Sequence, residues 1–170
     1  NKIDMKSIIF LALVNIFCFK SICFGQTNPL FITPTLNGPV YDLNMQHGTY
    51  FLQGPDSSAT MGYNGDILGP TLIMDSGDDI TINVTNSIGE ETTTHWHGLH
   101  LSPENDGGPH SVISPNQTWS PQFTVEDKAS TFWYHPHLHH FTMKHVVLGL
   151  AGLIIVRDTE EAALNLPRTY

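Results

Sequence analysis

Hydrophobic and polar residues alternate over much of the chain after residue 39, and this alternation predicts a series of short strands. In residues 79–86 (DITINVTN), Ile80, Ile82 and Val84 fall on one face and polar residues on the other. A period of two is typical of a strand that buries one face in a hydrophobic core. Further strands are predicted at residues 40–46, 49–53, 71–74, 92–101, 118–125, 131–137 and 149–158.

The segments between these strands are rich in turn-forming residues. Residues 54–70 (GPDSSATMGYNGDILGP) are expected to form a loop, and residues 138–149 (LHHFTMKHVVLG) one or two helical turns. Pro121 predicts that the strand at 118–125 is an edge strand or carries a bulge, because proline cannot donate to a strand ladder. Short strands spaced about ten residues apart predict an all-β fold, either a sandwich or a barrel.

The two ends of the chain differ from its middle. Residues 1–25 are interpreted as a secretory signal peptide with a few residues upstream of Met5, because an apolar stretch is followed by the small residue Gly25. Lys20 interrupts the apolar stretch, which favours a cleaved signal over the alternative, an uncleaved membrane anchor. The rest of the chain is expected to divide into an extended lead-in (26–38), a single domain (39–158) and a truncated linker (159–170).

Composition excludes several classes of function. The formal net charge is −9, and the basic residues after position 25 are scattered, so binding of nucleic acid is not expected. Cys18 and Cys23 both lie within the predicted signal peptide. The mature chain is therefore expected to hold no disulfide, thiolate zinc site, catalytic cysteine or blue-copper centre of its own.

The candidate chemistry lies in two pairs of histidines, His95 and His97 in HWH and His135 and His137 in HPH. Residues two apart on a strand point to the same side, ~6.5 Å apart, so neighbouring strands would bring four imidazoles together. Burial of four imidazoles without a ligand would leave their nitrogens unsatisfied. Neutral imidazole binds Zn, Cu, Fe or Ni, and the absence of neighbouring thiolates and carboxylates favours copper.

The remaining histidines are expected to have lesser roles. Strand parity places His100 on the face opposite His97, where it would lie at the surface or behind the ligands. His139 shares the parity of His137 and is expected in the outer surroundings of the site. The others are expected to face solvent or to form local hydrogen bonds, namely His47, His110, His140 and His145.

Several runs of the chain resemble the first cupredoxin domain of multicopper oxidases. The runs are HWHGLH, DGGPHSVISPNQTWSPQFTV, TFWYHPHLH and GLAGLIIVRD, with NGDILGPTLIMDSGDDITINVTN upstream. The resemblance covers residues 39–158 and is closest to the bacterial copper-efflux oxidase, bilirubin oxidase and laccase-like group. It implies a cupredoxin-like Greek-key β-sandwich that donates half of the eight histidines around a trinuclear copper cluster.

The resemblance also implies individual roles. His95 would bind the type-2 copper, and the type-3 coppers would be bound by His97, His135 and His137. Asp106, in NDGGP, matches an acidic residue that helps to deliver protons during oxygen reduction, although it is equally explained as a turn residue before two glycines. Thr92 to Thr94 and nearby carbonyl groups are candidates for holding the histidine tautomers.

The family motifs that supply the other cluster ligands and the type-1 copper are absent from this sequence. The resemblance therefore implies a partner, the C-terminal cupredoxin domain of the same protein or of a neighbouring subunit, and a fragment that is inactive alone. The parent enzyme would be secreted or periplasmic in a bacterium. It would couple one-electron oxidation of a substrate to the four-electron reduction of dioxygen to water. Phenols, bilirubin-like compounds and cuprous ion stay open as its reducing substrates.

Two alternatives from other classes remain. The chain could be a non-enzymatic cupredoxin-like scaffold or copper-binding module. It could also hold a mononuclear zinc or copper ion on three or four of these histidines, with an open position for hydrolytic chemistry.

Overall fold

A computed structural model of the chain describes residues 31–51 and 55–166. The described residues from Ile32 onwards form one compact unit. The predicted signal peptide and residues 26–30 of the lead-in lie outside the described residues. Neither helix in the described part of the chain has the length and apolar character needed to cross a membrane.

The regular structure of the described residues is mostly strand. In chain order the strands are β1 (Thr35–Asn37), β2 (Val40–Tyr50), β3 (Ser58–Tyr63), β4 (Thr71–Asp75), β5 (Asp79–Asn86), β6 (His95–His97), β7 (Thr118–Trp119), β8 (Gln122–Thr124), β9 (Ser130–His135) and β10 (Gly152–Arg157). The helices are α1 (Thr142–Val147) and α2 (Thr159–Ala163).

These strands form two sheets that pack as a sandwich. The first sheet has the order β1-β4-β10-β9-β6, and the second has the order β3-β2-β5-β7, with β8 also pairing with β5. Both sheets contain parallel and antiparallel neighbours. The histidine-bearing strand β6 lies at the edge of the first sheet, where its far side has no strand partner among the described residues.

One hydrophobic core fills the space between the sheets. The alternation seen in DITINVTN is confirmed, because Ile80, Ile82 and Val84 of β5 are all buried. The first sheet contributes fully buried side chains to the same cluster, among them Leu72, Met74, Trp96, Tyr134 and Ile154. The even-numbered residues of β6 and β9 thus face the core, and their odd-numbered neighbours face outward.

Several predicted boundaries differ from the structure. Residues 58–63 form β3 inside the segment predicted to be a loop, because SATMGY pairs with β2 and buries Met61 and Tyr63. The prediction at Pro121 is confirmed, since β7 and β8 pair with the same strand on either side of it. The domain limits at residues 39 and 158 stay predictions, although β1 lies before the first limit and α2 after the second.

Candidate metal centre

The two histidine pairs meet where β6 lies beside β9. These strands are antiparallel neighbours, and His95 lies directly opposite His135 in the register. Trp96 and Tyr134, the next pair along, are fully buried in the core. The histidines therefore project from the opposite, outer face of the first sheet.

All four predicted ligands form one cluster of rings. The ring centroid of His95 lies 5.7 Å from that of His97, 5.6 Å from that of His135 and 5.3 Å from that of His137. The centroids of His97 and His135 are 5.3 Å apart, and those of His135 and His137 are 6.0 Å apart. Four imidazoles from two separate segments of the sequence thus share a single place on the surface.

His137 reaches this cluster by a route that strand parity does not describe. β9 ends at His135, and Pro136 lies between the end of this strand and His137. The backbone N–H of His137 instead donates to Thr93 Oγ1 at 2.6 Å. The position of His137 therefore depends on the buried segment before β6 as well as on β9, which ends two residues before it.

The ring of His135 presents a lone pair to its neighbour. Its Nδ1 lies 2.9 Å from the carbonyl oxygen of Pro136, which only accepts hydrogen bonds, so Nδ1 carries the proton and Nε2 has a lone pair. This Nε2 lies 3.1 Å from Nδ1 of His97. Two nitrogens that bind one metal ion at ~2.0–2.1 Å with an angle of about 100° are ~3.1 Å apart. The pair thus has the spacing of two ligands of a single ion.

His95 is held by the loop that follows β6. Its Nδ1 lies 2.9 Å from the carbonyl oxygen of Asp106 and 3.2 Å from Oδ2 of the same residue. Both atoms accept hydrogen bonds, so the proton resides on Nδ1 and Nε2 is left available for a metal. Asp106, predicted from the resemblance alone, therefore contacts one of the four clustered histidines.

The electrostatic environment favours the neutral, metal-binding form of His135. Burial lowers the pKa of His135 below its ordinary value, and the three neighbouring histidines lower it further. The hydrogen bond to Pro136 raises the pKa, but by less than burial lowers it. A metal ion would thus compete with few protons at this ring near neutral pH.

An aromatic side chain covers part of the cluster. The ring of Trp133 stacks on His135 at a centroid distance of 4.0 Å and lies 5.1 Å from the ring of His97. It is 36% exposed, whereas Trp96 is fully buried. Trp133 thus packs beside the candidate ligands on the outer face rather than in the core.

The other histidines divide between surface and interior. His100 is exposed and its Nδ1 lies 2.6 Å from the buried carboxylate of Asp127, so it points away from the cluster of four. His139 and His140 are also exposed. His145 is fully buried with hydrogen-bond partners on both nitrogens, and no feature of the sequence distinguishes it from the exposed histidines of the same segment.

The donor set fits copper, with one restriction. Four imidazoles without a thiolate suit copper or zinc. Within residues 31–51 and 55–166, however, no three His, Cys, Asp or Glu side chains are arranged to hold one ion.

Comparison with known proteins agrees with this architecture. The two mixed sheets and the similarity to solved multicopper oxidases identify the fold as the cupredoxin-like Greek-key β-sandwich that the sequence predicts. Residues 44–161 match the model of a family described as multicopper oxidase. The chain belongs to the multicopper oxidase family.

Individual relatives are bacterial proteins. The chain is 44% identical to the multicopper oxidase mco of Staphylococcus aureus, over 76% of the chain and 29% of the relative. It is 35% identical to the cell division protein FtsP of Dickeya dadantii, over 86% of the chain and 32% of that protein. The structure of a laccase-like multicopper oxidase, CueO, from Ochrobactrum sp. superposes with a TM-score of 0.80 at 38% identity, covering 84% of the chain and 33% of that structure. The chain thus spans about three tenths of the length of these curated relatives.

Proposed function

We propose that this chain is the domain of a secreted or periplasmic multicopper oxidase that supplies half of the ligands of a trinuclear copper cluster. His95 binds the type-2 copper in this proposal, and His97, His135 and His137 bind the type-3 coppers. The whole enzyme oxidises its substrate one electron at a time and reduces dioxygen to water. The chain by itself has no activity in this proposal, because the remaining ligands lie elsewhere.

The observation that carries the proposal is the pairing of His97 with His135. Their facing nitrogens are 3.1 Å apart and come from different strands, so the sheet itself sets the spacing. The rings of His95 and His137 lie 5.3 Å apart, and each is within 6.0 Å of the ring of His135. An incomplete site of this kind supports a cluster that is shared with a second domain.

The residues of this chain act mainly by orientation. The main-chain carbonyls of Asp106 and Pro136 fix the tautomers of His95 and His135, so that Nε2 of each ring is the metal-binding atom. Copper, when bound to these rings, supplies the one-electron redox chemistry of oxygen reduction. Trp133 shields one side of His135 from water by stacking on its ring.

Asp106 is the proposed proton relay. Its Oδ2 lies 3.2 Å from His95 Nδ1, and its side chain is 34% exposed, so one carboxylate contacts both the cluster and solvent. A group with this access can take a proton from water and pass it toward the site. Reduction of one dioxygen to two waters consumes four electrons and four protons, and an acidic side chain beside the cluster can help to supply those protons.

The partner is a C-terminal cupredoxin domain of the same protein or of a neighbouring subunit. The outer face around the cluster carries exposed apolar side chains, including Trp133 and Leu153, which lie opposite each other in the register of β9 and β10. A domain that covers this face would supply the missing ligands. The reducing substrate would bind near the type-1 copper of that domain, and phenols, bilirubin-like compounds and cuprous ion remain candidates.

Similarity to FtsP favours a second candidate function. A relative named for cell division shares 35% identity over most of this chain. The chain could accordingly be a scaffold that does not reduce oxygen. The two functions differ in whether the histidine cluster binds copper.

A copper titration of the full chain tests the proposed function. Isothermal titration with Cu(II) is expected to show binding that His97→Ala and His135→Ala each weaken by at least tenfold, since each removes one ligand. His110→Ala, which removes an exposed histidine, serves as the matched control and is expected to bind like the wild type. Equal affinity of all four proteins would contradict the copper site and support the scaffold function.

A further inference from the structure

A fully buried histidine on α1 forms hydrogen bonds outside the proposed copper site. Nδ1 of His145 lies 3.1 Å from Thr92 Oγ1, and its Nε2 lies 3.3 Å from Glu90 Oε1. A carboxylate only accepts, so Nε2 carries the proton and Nδ1 accepts from the Thr92 hydroxyl. Glu90 is itself held by Lys144 Nζ at 2.6 and 2.8 Å. Every polar atom of the His145 ring is thus matched to a partner of the opposite kind.

These bonds join the two segments that carry the candidate ligands. Thr92 lies three residues before His95 and bridges to Ile113 through its backbone N–H and carbonyl. The next residue, Thr93, accepts the backbone N–H of His137 at 2.6 Å. The stretch from His137 to His145 is therefore fastened to adjacent residues, Thr92 and Thr93, at both of its ends.

The turn between these two ends has little freedom. The carbonyl of Leu138 accepts from the backbone N–H groups of Phe141 and Thr142 at 3.0 Å, and the ring of Phe141 stacks on that of His145. Thr92 and Thr93 are themselves fully buried. A shift of α1 would therefore be transmitted to the backbone of His137.

We infer that His145 is a positioning residue that acts through Thr92 and Thr93 to hold His137 at its place beside His95. The inference rests on the proposed function, because it assigns His145 to the geometry of the proposed copper cluster. A simpler role would be to stabilise α1 alone, without effect on His137. The two roles differ in what happens at the His137 backbone when the side-chain hydrogen bonds of His145 are removed.

Three variants of the full chain separate these roles. His145→Leu keeps an apolar side chain in the buried position but removes both hydrogen bonds, and His145→Gln restores one donor and one acceptor. Thr92→Val removes the hydroxyl while preserving the shape of the side chain. Exposed His110→Leu is the control for loss of a histidine. The readouts are the hydrogen-exchange rate of the His137 amide, the affinity for Cu(II) and the midpoint of thermal unfolding.

His145→Leu and Thr92→Val are each expected to accelerate exchange of the His137 amide and to weaken Cu(II) binding by about tenfold, as loss of groups that orient metal ligands does. His145→Gln is expected to restore both values. The double variant of His145→Leu and Thr92→Val should be no worse than His145→Leu alone, since the bond that Thr92→Val removes is already lost in His145→Leu. Should His145→Leu fail to fold, Thr92→Val and His145→Gln provide the same test.

Unchanged exchange of the His137 amide in Thr92→Val and His145→Leu, at any shift of the unfolding midpoint, would overturn the inference. Equal losses in His145→Leu and His145→Gln would overturn it as well, because the hydrogen bonds would then not be responsible. If the wild-type chain binds no Cu(II), the proposed function fails, whereas exchange at His137 still decides the role of His145.

Discussion

Single hydrogen bonds to main-chain carbonyls decide which nitrogen each candidate ligand offers. His95 and His135 each direct Nδ1 at a carbonyl oxygen, of Asp106 and Pro136 respectively, and so leave Nε2 unprotonated. His97 differs, because its Nδ1 faces His135 Nε2. A carbonyl oxygen cannot donate, so the tautomer of a ring that faces one is set by the backbone. The chemistry of the cluster is therefore prepared by chain conformation before any metal binds.

The carboxylate of Asp106 can be tested apart from its carbonyl. Asp106→Asn keeps the carbonyl that orients His95 but replaces the proton-carrying group. In the assembled oxidase this variant is expected to retain its copper content and to lose oxygen consumption by about 100-fold, the scale of general acid–base catalysis. Glu104→Gln, an exposed change in the same loop, should leave oxygen consumption unaltered. Oxygen-electrode rates with copper analysis decide the matter, and a fully active Asp106→Asn enzyme would show that Asp106 is a turn residue only.

At the scale of elements, the loop that follows β6 and contains Asn105 to Gly107 holds the candidate ligand His95 and packs closely against the backbone of Thr94. The carbonyl of Asp106 also accepts the backbone N–H of Trp96 at 3.3 Å, and that of Asn105 accepts Trp96 Nε1–H at 3.0 Å. Gly107 follows at φ 71°, and a Cβ there would collide with the carbonyl oxygen of Thr94. Glycine is required here because the loop returns directly onto the strand that it follows.

This requirement predicts a large cost for a small change. Gly107→Ala is expected to lower the free energy of unfolding by about 3 kcal/mol, from backbone strain together with the clash at Thr94. Gly77→Ala is the matched control, since Gly77 has φ 95° but open space around its added Cβ, and it should cost about 1 kcal/mol. Urea unfolding of both variants gives the two values. Equal costs would mean that the close approach of the loop contributes nothing.

At the scale of the whole molecule, the site is built on the outer face of a sheet whose inner face is the core. Trp96, between the two histidines of β6, is fully buried and lies parallel to Trp119 of the other sheet, with centroids 6.2 Å apart. It also contacts the ring of Tyr134 at 6.0 Å. The same strand thus joins the two sheets on one side and carries the candidate ligands on the other.

Replacement of the tryptophans should separate these two sides. Trp96→Ala is expected to lower the free energy of unfolding by about 3–5 kcal/mol, the usual cost of removing a large buried aromatic ring. Trp133→Ala, on the outer face, should cost about 1 kcal/mol and instead weaken copper binding, because its ring stacks on His135. Denaturation curves and copper titrations of both variants measure the two effects. Similar stability of the two variants would contradict this division of the sheet.

Local pattern in the sequence was sufficient for most of the strands and for the two histidine pairs. The period of two in DITINVTN and the spacing in HWH depend only on neighbours along the chain, and the structure shows the alternation as predicted. The strand β3 was missed, because glycine, serine and asparagine around it indicate a turn and its pairing with β2 is a long-range contact. Side-chain periodicity carries no information on which strands pair.

The sequence by itself determined that four histidines would be presented in two pairs, and it supplied the motifs of the family. Only the tertiary structure placed His95 opposite His135, directed His137 through Thr93, and buried His145 while its neighbours on the same segment stay exposed. The physical reason is that hydrogen bonds and burial depend on residues far apart in sequence. Thr92 and His145, separated by more than fifty positions, acquire their roles only when the sheet and α1 come together.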